Sequence, residues 1–120
     1  MAIHESGEMY LEAILMLKRE TSLVRAIDIV NHTGYSKPSV SRALSVLKKN
    51  DYVVVDDDGY ISFTEKGEKH ANHIYERHMV LSAMLKKIGV QDEAAEEDAC
   101  KMEHVISDET LASIRKYFNI

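Results

Sequence analysis

The only proline of this chain, Pro38, indicates where a helix begins and so constrains the fold around it. Proline lacks a backbone N–H and is tolerated in the first turn of a helix, where that group would have no intrahelical partner. Ser36 stands two residues earlier and can cap the helix with its hydroxyl. Val40, Leu44 and Leu47 follow at helical spacing. The pattern therefore predicts an amphipathic helix that starts beside Ser36.

Two shorter patterns flank this helix. Before it, Ile29 and Val30 share one face of a short helix that ends at Gly34. After it, the segment "YVVVDDDGYISF" contains two β-rich runs around Asp58-Gly59, a pair that is typical of hairpin turns. A helix, a glycine-containing turn, a second helix and a hairpin, in this order, are typical of a winged helix-turn-helix domain.

The rest of the chain predicts further helices. One runs over about residues 7–19, a long one follows the hairpin and ends at Gly89, and "DEAAEEDACKMEHV" predicts another before a last helix that reaches about residue 118. Residues that can cap three of these helices precede them: Ser6, Thr64 and Ser107. We therefore expect a mainly α protein with one small β-hairpin.

Charge is distributed unevenly along the chain, although the formal net charge is only -5. Basic residues dominate between residues 18 and 50, and acidic residues dominate between residues 91 and 109. The first region suits the DNA phosphate backbone and the second suits a cation. No apolar run approaches the roughly 20 residues of a membrane helix. The single cysteine cannot form an internal disulfide, which favours a reducing cytoplasm.

The helix that starts beside Ser36 carries small or hydrogen-bond-donating side chains in its first turns. Arg42 can donate two hydrogen bonds to a guanine edge, whereas Lys37 and Arg25 suit phosphates. The aspartates at residues 56–58 would repel DNA, so we expect the hairpin tip to stay away from the phosphate backbone. The alternative is a helical hairpin whose charges merely face water. The predicted DNA-binding set is Arg25, Ser36, Lys37, Pro38, Ser39, Ser41 and Arg42.

A possible metal site stands near the end of the chain. Cys100, Glu103 and His104 would share one helix face, because positions i, i+3 and i+4 are neighbours. Thiolate, carboxylate and imidazole together suit a divalent transition metal. The alternative is a buried cysteine beside two ordinary residues, since spacing alone does not show that other helices supply ligands. Further donors stand on the first and the long helix: Met9, Glu12 and His78.

Several segments closely resemble the diphtheria-toxin-repressor-like family of metal-dependent transcriptional repressors. They are "GEMYLEAI", "GYSKPSVSRALSVLKKNDYVVVDDDGYISFTEKGE", "ERHMVLSAMLKKIGV" and "ACKMEHVISDE". The resemblance implies a winged helix-turn-helix domain at residues 1–70 and a helical metal-binding and dimerisation domain at residues 71–120, in the two-domain form without an SH3-like domain. It implies a cytoplasmic homodimeric repressor that binds a double-stranded DNA operator when Fe(II) or Mn(II) is bound. We expect that operator to be palindromic, because a two-fold symmetric dimer reads two half-sites.

Carried over position by position, the resemblance implies a metal site made of Met9, Glu12, His78, Cys100, Glu103 and His104. The iron-responsive branch has Met and Cys at the positions of Met9 and Cys100. The manganese-responsive branch has carboxylates there and also uses the positions of Glu12 and His78. Because thioether and thiolate ligands are soft, we expect Fe(II), with Mn(II) as the second candidate.

The chain departs from the iron-responsive branch at two positions. Ser82 stands where that branch has a carboxylate and Glu96 where it has a histidine, which argues against an iron-type second site. One alternative function is a winged-helix regulator that senses redox state or an organic ligand through Cys100. An enzyme is not expected, since no H-E-x-x-H motif or nucleophile–base pattern is found.

Overall fold

A computed structural model describes residues 5–120, except for the side chains of residues 5 and 6. The chain forms two compact units, Met1–Asn72 and His73–Ile120, called here the N-terminal and the C-terminal unit. Within the described range the elements are six helices and one antiparallel hairpin, so the predicted mainly α fold with a small hairpin is confirmed. None of the helices in that range combines the length and the apolar character that a membrane span requires.

The N-terminal unit contains the predicted helix-turn-helix and hairpin. The first helix begins two residues earlier than predicted, so Ser6 lies inside it rather than before it, and the Ser6 side chain is outside the described part. The elements are α1 (Glu5–Glu20), α2 (Ala26–Thr33), α3 (Lys37–Lys49), β1 (Val53–Val55), β2 (Ile61–Phe63) and the start of α4 (Glu65–Lys87).

The turn between α2 and α3 forms as the sequence predicts. Gly34 adopts a φ of 78° and donates its N–H to the Val30 carbonyl, which ends α2. Ser36 Oγ accepts the Ser39 N–H at 3.3 Å, and Pro38 lies in the first turn of α3. These contacts determine the direction in which α3 leaves the turn.

The hairpin is attached to the helices at its base. Ile61 donates its N–H to the Val24 carbonyl at 2.8 Å, and Lys18 Nζ donates to the Ile61 carbonyl at 2.9 Å. At its tip, Asp56 Oδ1 accepts the N–H groups of Asp58 and Tyr60, both at 2.9 Å. Asp56 thus stabilises the turn, a role that the sequence analysis did not assign to it.

The start of α4 approaches the hairpin closely. Thr64 Oγ1 caps the helix by accepting the Gly67 N–H at 3.0 Å, as predicted. A Cβ atom on Gly67 would lie 1.8 Å from the Tyr52 carbonyl oxygen, so no larger residue fits there without a backbone shift. The core of this unit includes Leu11, Ile14, Val24, Ile29, Val40, Leu47, Val53 and Ile61.

The C-terminal unit contains the rest of α4, α5 (Asp92–Met102) and α6 (Asp108–Phe118). Ser107 caps α6 by accepting the Thr110 N–H at 3.1 Å, as predicted. The predicted extent of α5 is wrong, because the helix ends at Met102 and His104 lies in the turn that follows. The core of this unit includes Val80, Leu81, Met84, Leu85, Ala95, Ala99 and Leu111.

Candidate metal centre and DNA-binding surface

Glu103 places a buried carboxylate between two imidazoles of the C-terminal unit. Its side chain is 0% exposed, its Oε2 atom lies 2.8 Å from His78 Nδ1, and its Oε1 atom lies 3.3 Å from His104 Nε2. Within the described part of the chain, Oε1 has no hydrogen-bond partner. Burying a carboxylate is unfavourable unless another group compensates its charge. One carboxylate and two imidazoles are a donor set that fits a divalent first-row metal.

Arg77 determines the path of the chain at this centre. It is 8% exposed and donates Nε to the Glu103 carbonyl at 2.8 Å and Nη1 to Asp108 Oδ1 at 2.7 Å. A further donor, Nη2, contacts the Ile106 carbonyl. These hydrogen bonds satisfy carbonyl groups just beyond the end of α5. They stabilise the turn of the chain that places His104 outside the helix. This role of Arg77 was not predicted, because its position before His78 in the sequence does not reveal which carbonyls it contacts.

Glu96 lies beside His78 on the side away from Glu103. Glu96 Oε2 is 2.7 Å from His78 Nε2, while Oε1 accepts from Ser82 Oγ at 2.7 Å and from Lys86 Nζ at 2.9 Å. The Lys86 ammonium, the Ser82 hydroxyl and the His78 ring lower the pKa of the Glu96 carboxyl from 4.5 to about 2. The hydrogen bond to Glu96 in turn raises the pKa of Lys86. Glu96 is therefore ionised at neutral pH.

The remaining predicted ligands belong to α5 and α1. Cys100 is a half-buried cysteine one turn before Glu103, which itself keeps helical backbone angles. Met9 and Glu12 are half-buried and one turn apart on α1 of the N-terminal unit. The predicted set is thus divided between the units. Coordination by Cys100, Met9 and Glu12 stays a prediction.

The predicted DNA-binding residues are mostly exposed on α3. Lys37, Pro38, Ser41 and Arg42 are all accessible, whereas Ser39 is half-buried. The Ser36 hydroxyl is used within the fold, since it accepts the Ser39 N–H and donates to Ser39 Oγ at 2.9 Å. Two residues that the sequence analysis missed continue the exposed face of Pro38, Ser41 and Arg42 at helical spacing: Ser45 and Lys49.

Arg25 lies at the start of α2 and faces the hairpin. Its guanidinium is 4.3 Å from the centre of the Tyr60 ring, a cation–π geometry that orients the side chain. Its backbone N–H donates to Asp28 Oδ2 at 2.8 Å. Arg25 is exposed, so its charge remains available to a phosphate.

Two family models match this chain and together cover nearly all of it. The model described as "Iron dependent repressor, N-terminal DNA binding domain" matches residues 2–61. The model described as "Iron dependent repressor, metal binding and dimerisation domain" matches residues 64–119. The matched families are transcriptional regulators, which confirms the predicted resemblance and the class of regulator rather than enzyme.

Similar proteins include several transcriptional regulators. The regulator MntR of Escherichia coli O6:H1 is 34% identical over 108 residues, which cover 90% of this chain and 70% of that protein. MntR of Shouchella clausii is 34% identical over 109 residues, which cover 91% of this chain and 76% of that protein. The uncharacterised regulator MJ0568 of Methanocaldococcus jannaschii is 29% identical over 113 residues, which cover 92% of this chain and 90% of that protein.

Solved structures share the fold. The manganese regulator SloR superposes with a TM-score of 0.84 at 25% identity, covering 99% of this chain and 55% of SloR. IdeR of T. acidophilum superposes with a TM-score of 0.84 at 22% identity, covering 100% of this chain and 56% of that protein. This chain therefore spans about half the length of these two solved structures.

Proposed function

We propose, on the premise that this chain belongs to the iron-dependent repressor family of transcriptional regulators, that it is a metal-activated repressor which binds DNA as a homodimer in the cytoplasm. The observation that carries the proposal is the buried Glu103 carboxylate between the imidazoles of His78 and His104. We assign DNA binding to residues 1–70 and metal binding with dimerisation to residues 71–120.

The ion that we propose is Fe(II) or Mn(II). Oxygen and nitrogen donors from Glu103, His78 and His104 suit both, and the sequence adds Glu12 as a further oxygen donor. Met9 and Cys100 would add soft sulfur donors, which is why the sequence analysis ranked Fe(II) first. The similarity to the manganese regulator SloR supports Mn(II) instead, so both ions enter the test.

A bound divalent ion would supply positive charge to compensate the buried Glu103 carboxylate. The ion shifts the protein toward its DNA-competent conformation if it binds that conformation more tightly than the alternative one. A tenfold gain in DNA affinity requires about 1.4 kcal/mol of coupling. On the DNA side, Arg42 reads a base edge, while Lys37 and Arg25 neutralise phosphates.

DNA binding with and without metal tests the proposal. DNA fragments are selected from a random-sequence pool on the Mn(II)-loaded full chain, and their affinity is measured by fluorescence anisotropy with Mn(II), with Fe(II) under anaerobic conditions, and with excess chelator. We expect at least about tenfold tighter binding with one of the ions, which corresponds to about 1.4 kcal/mol. Equal affinity under all three conditions would contradict the proposal.

Two variants sharpen this test. Glu103→Gln keeps the size of the buried side chain but removes its charge, so the metal response should disappear. Glu97→Gln removes one charge from an exposed position of α5 and should leave the response intact. DNA release by peroxide in the metal-free protein would instead favour a redox sensor that uses Cys100.

A further inference from the structure

We propose that Glu96 is a positioning residue that selects Nδ1 of His78 as the metal-binding nitrogen and does not itself hold an ion. This inference rests on the proposed function, because it concerns the same metal centre. It concerns a residue that lies outside the ligand set expected from the sequence. The contacts around Glu96 support it.

The contact with Glu96 determines which nitrogen of the His78 imidazole carries the proton. Glu96 accepts from Ser82 Oγ and Lys86 Nζ through Oε1 and so acts as a hydrogen-bond acceptor, and its Oε2 atom lies 2.7 Å from His78 Nε2. His78 Nε2 must therefore carry a hydrogen. In a neutral imidazole this leaves the lone pair on Nδ1, the atom that faces the buried Glu103.

The other nitrogen of His78 faces Glu103 across a short gap. His78 Nδ1 and Glu103 Oε2 are 2.8 Å apart, and both act as acceptors when the imidazole is neutral and the carboxylate is ionised. Two facing lone pairs at this distance repel each other unless a proton or a cation compensates them. By directing Nδ1 toward Glu103, Glu96 creates a position that favours a cation.

Glu96 itself is held in place by two further donors. Ser82 and Lys86 follow His78 by one and two turns of α4, and both donate to Glu96 Oε1. With His78 on the other oxygen, both carboxylate oxygens are occupied. A metal ion would have to displace the Lys86 ammonium, a fixed cation at 2.9 Å, before Glu96 could bind it. Glu96 therefore acts through His78, as carboxylates beside metal-binding histidines commonly do.

The experiment measures which His78 nitrogen binds metal and how many ions the full chain binds. Zn(II) serves as a diamagnetic stand-in, and 15N NMR of the His78 ring, assigned with a His78→Gln variant, reports the coordinated nitrogen. In the wild type we expect Nδ1 coordinated and Nε2 protonated. In Glu96→Gln, Zn(II) affinity should fall about 10- to 100-fold and the Nε2–H signal should shift, while the number of bound ions stays the same.

Two further variants separate positioning from charge. Glu96→Asp keeps the negative charge but is one methylene shorter, so it should lose contact with His78 and shift the same NMR signal. Glu97→Gln removes a charge from an exposed position of the same helix and should change neither affinity nor signal. Circular dichroism melting of each variant verifies that it is folded.

Three results would overturn the inference: coordination through Nε2 in the wild type, loss of one bound ion in Glu96→Gln, or unchanged affinity and NMR signals in that variant. The proposed function fails differently. A wild-type chain that coordinates Zn(II) through Nδ1 but binds DNA equally with and without Mn(II) or Fe(II) supports the inference and refutes the function. Metal-dependent DNA binding by a chain that coordinates Zn(II) through Nε2 supports the function and refutes the inference.

Discussion

At the residue scale, single contacts at Gly67 and Glu96 determine what a side chain must be. Gly67 lies inside α4, where helix propensity alone would favour a larger residue, yet the Tyr52 carbonyl leaves no space for one. Glu96 is half-exposed, yet three donors surround its carboxylate. Neither role could be predicted from residue type, because both depend on neighbours that are distant in sequence.

Gly67→Ala should destabilise the protein by about 2 kcal/mol or more, because overpacking against a backbone atom outweighs the gain of about 1 kcal/mol in helix propensity. Urea unfolding followed by circular dichroism measures the change. Lys69→Ala, at an exposed position of the same helix, should stay within about 0.5 kcal/mol of the wild type. A Gly67→Ala variant as stable as the wild type would show that the helix can move away from Tyr52 freely.

Lys86→Met should raise the pKa of Glu96 from about 2 toward 4.5, because Lys86 is the largest cause of its depression. A depressed folded-state pKa stabilises the protein above the unfolded pKa, and this contribution is lost as pH falls through the folded value. The wild type should therefore retain it at neutral pH and lose it between about pH 4.5 and 2. NMR titration of the metal-free Glu96 carboxyl checks the shift, and an unchanged midpoint in the variant would contradict it.

At the element scale, helix ends determine how the functional groups are presented. Ser36, Pro38 and Gly34 fix the start of α3 through local contacts that the sequence predicts correctly. The end of α5 behaves differently, because Arg77 on another helix binds the carbonyls beyond Met102. Local rules therefore succeed for the start of α3 and fail for the end of α5.

Arg77→Met should destabilise the protein by about 2–4 kcal/mol, because the Glu103 and Ile106 carbonyls lose a buried donor. It should also weaken metal binding, since the main chain of Glu103 is no longer held. Arg115→Met is the matched control: its ion pair with Glu76 is exposed, so its loss should cost less than about 1 kcal/mol. Urea unfolding and metal titration of both variants measure these effects, and equal losses of stability in the two would contradict the prediction.

Arg42→Ala should weaken binding to the selected DNA by about 1–3 kcal/mol and relax preference at one base pair, leaving metal affinity unchanged. Lys49→Ala should instead weaken binding to all DNA sequences similarly. It should also reduce the slope of log affinity against log salt concentration by about 1. Anisotropy titrations on matched and mutated DNA at several salt concentrations distinguish the two. A uniform loss across sequences for Arg42→Ala would place Arg42 on the phosphate backbone.

At the scale of the whole molecule, the charges divide along the chain into a basic region that contains α3 and an acidic region that contains α5. Such a division explains how a chain with a net charge of -5 suits DNA, since a local basic surface matters more than the total. The acidic region also contains Glu103, a buried carboxylic side chain whose charge a bound ion can compensate.

Adding Mn(II) or Fe(II) should stabilise the full chain, because an ion that binds only the folded state shifts the unfolding equilibrium. At about 100 times the dissociation constant the gain is about 2.7 kcal/mol. Glu103→Gln should abolish this gain, because the neutral amide supplies no negative charge to the ion. Thermal melting with and without each ion measures both effects, and a gain that persists in Glu103→Gln would contradict the assignment of Glu103.

The sequence by itself determined the features that depend on near neighbours. The order of helices and hairpin, the caps at Ser36, Thr64 and Ser107, and the exposed polar face of α3 follow from spacing and local hydrogen bonding. Resemblance to a known family, rather than spacing, joined the metal ligands into one predicted set. Only the tertiary structure decided how Glu103 is enclosed, how Arg77 ends α5, and how Ser82 and Lys86 hold Glu96 against His78. Those contacts join α4 to the residues of α5 and to the turn beyond it, and their geometry depends on how the helices pack, which no local pattern encodes.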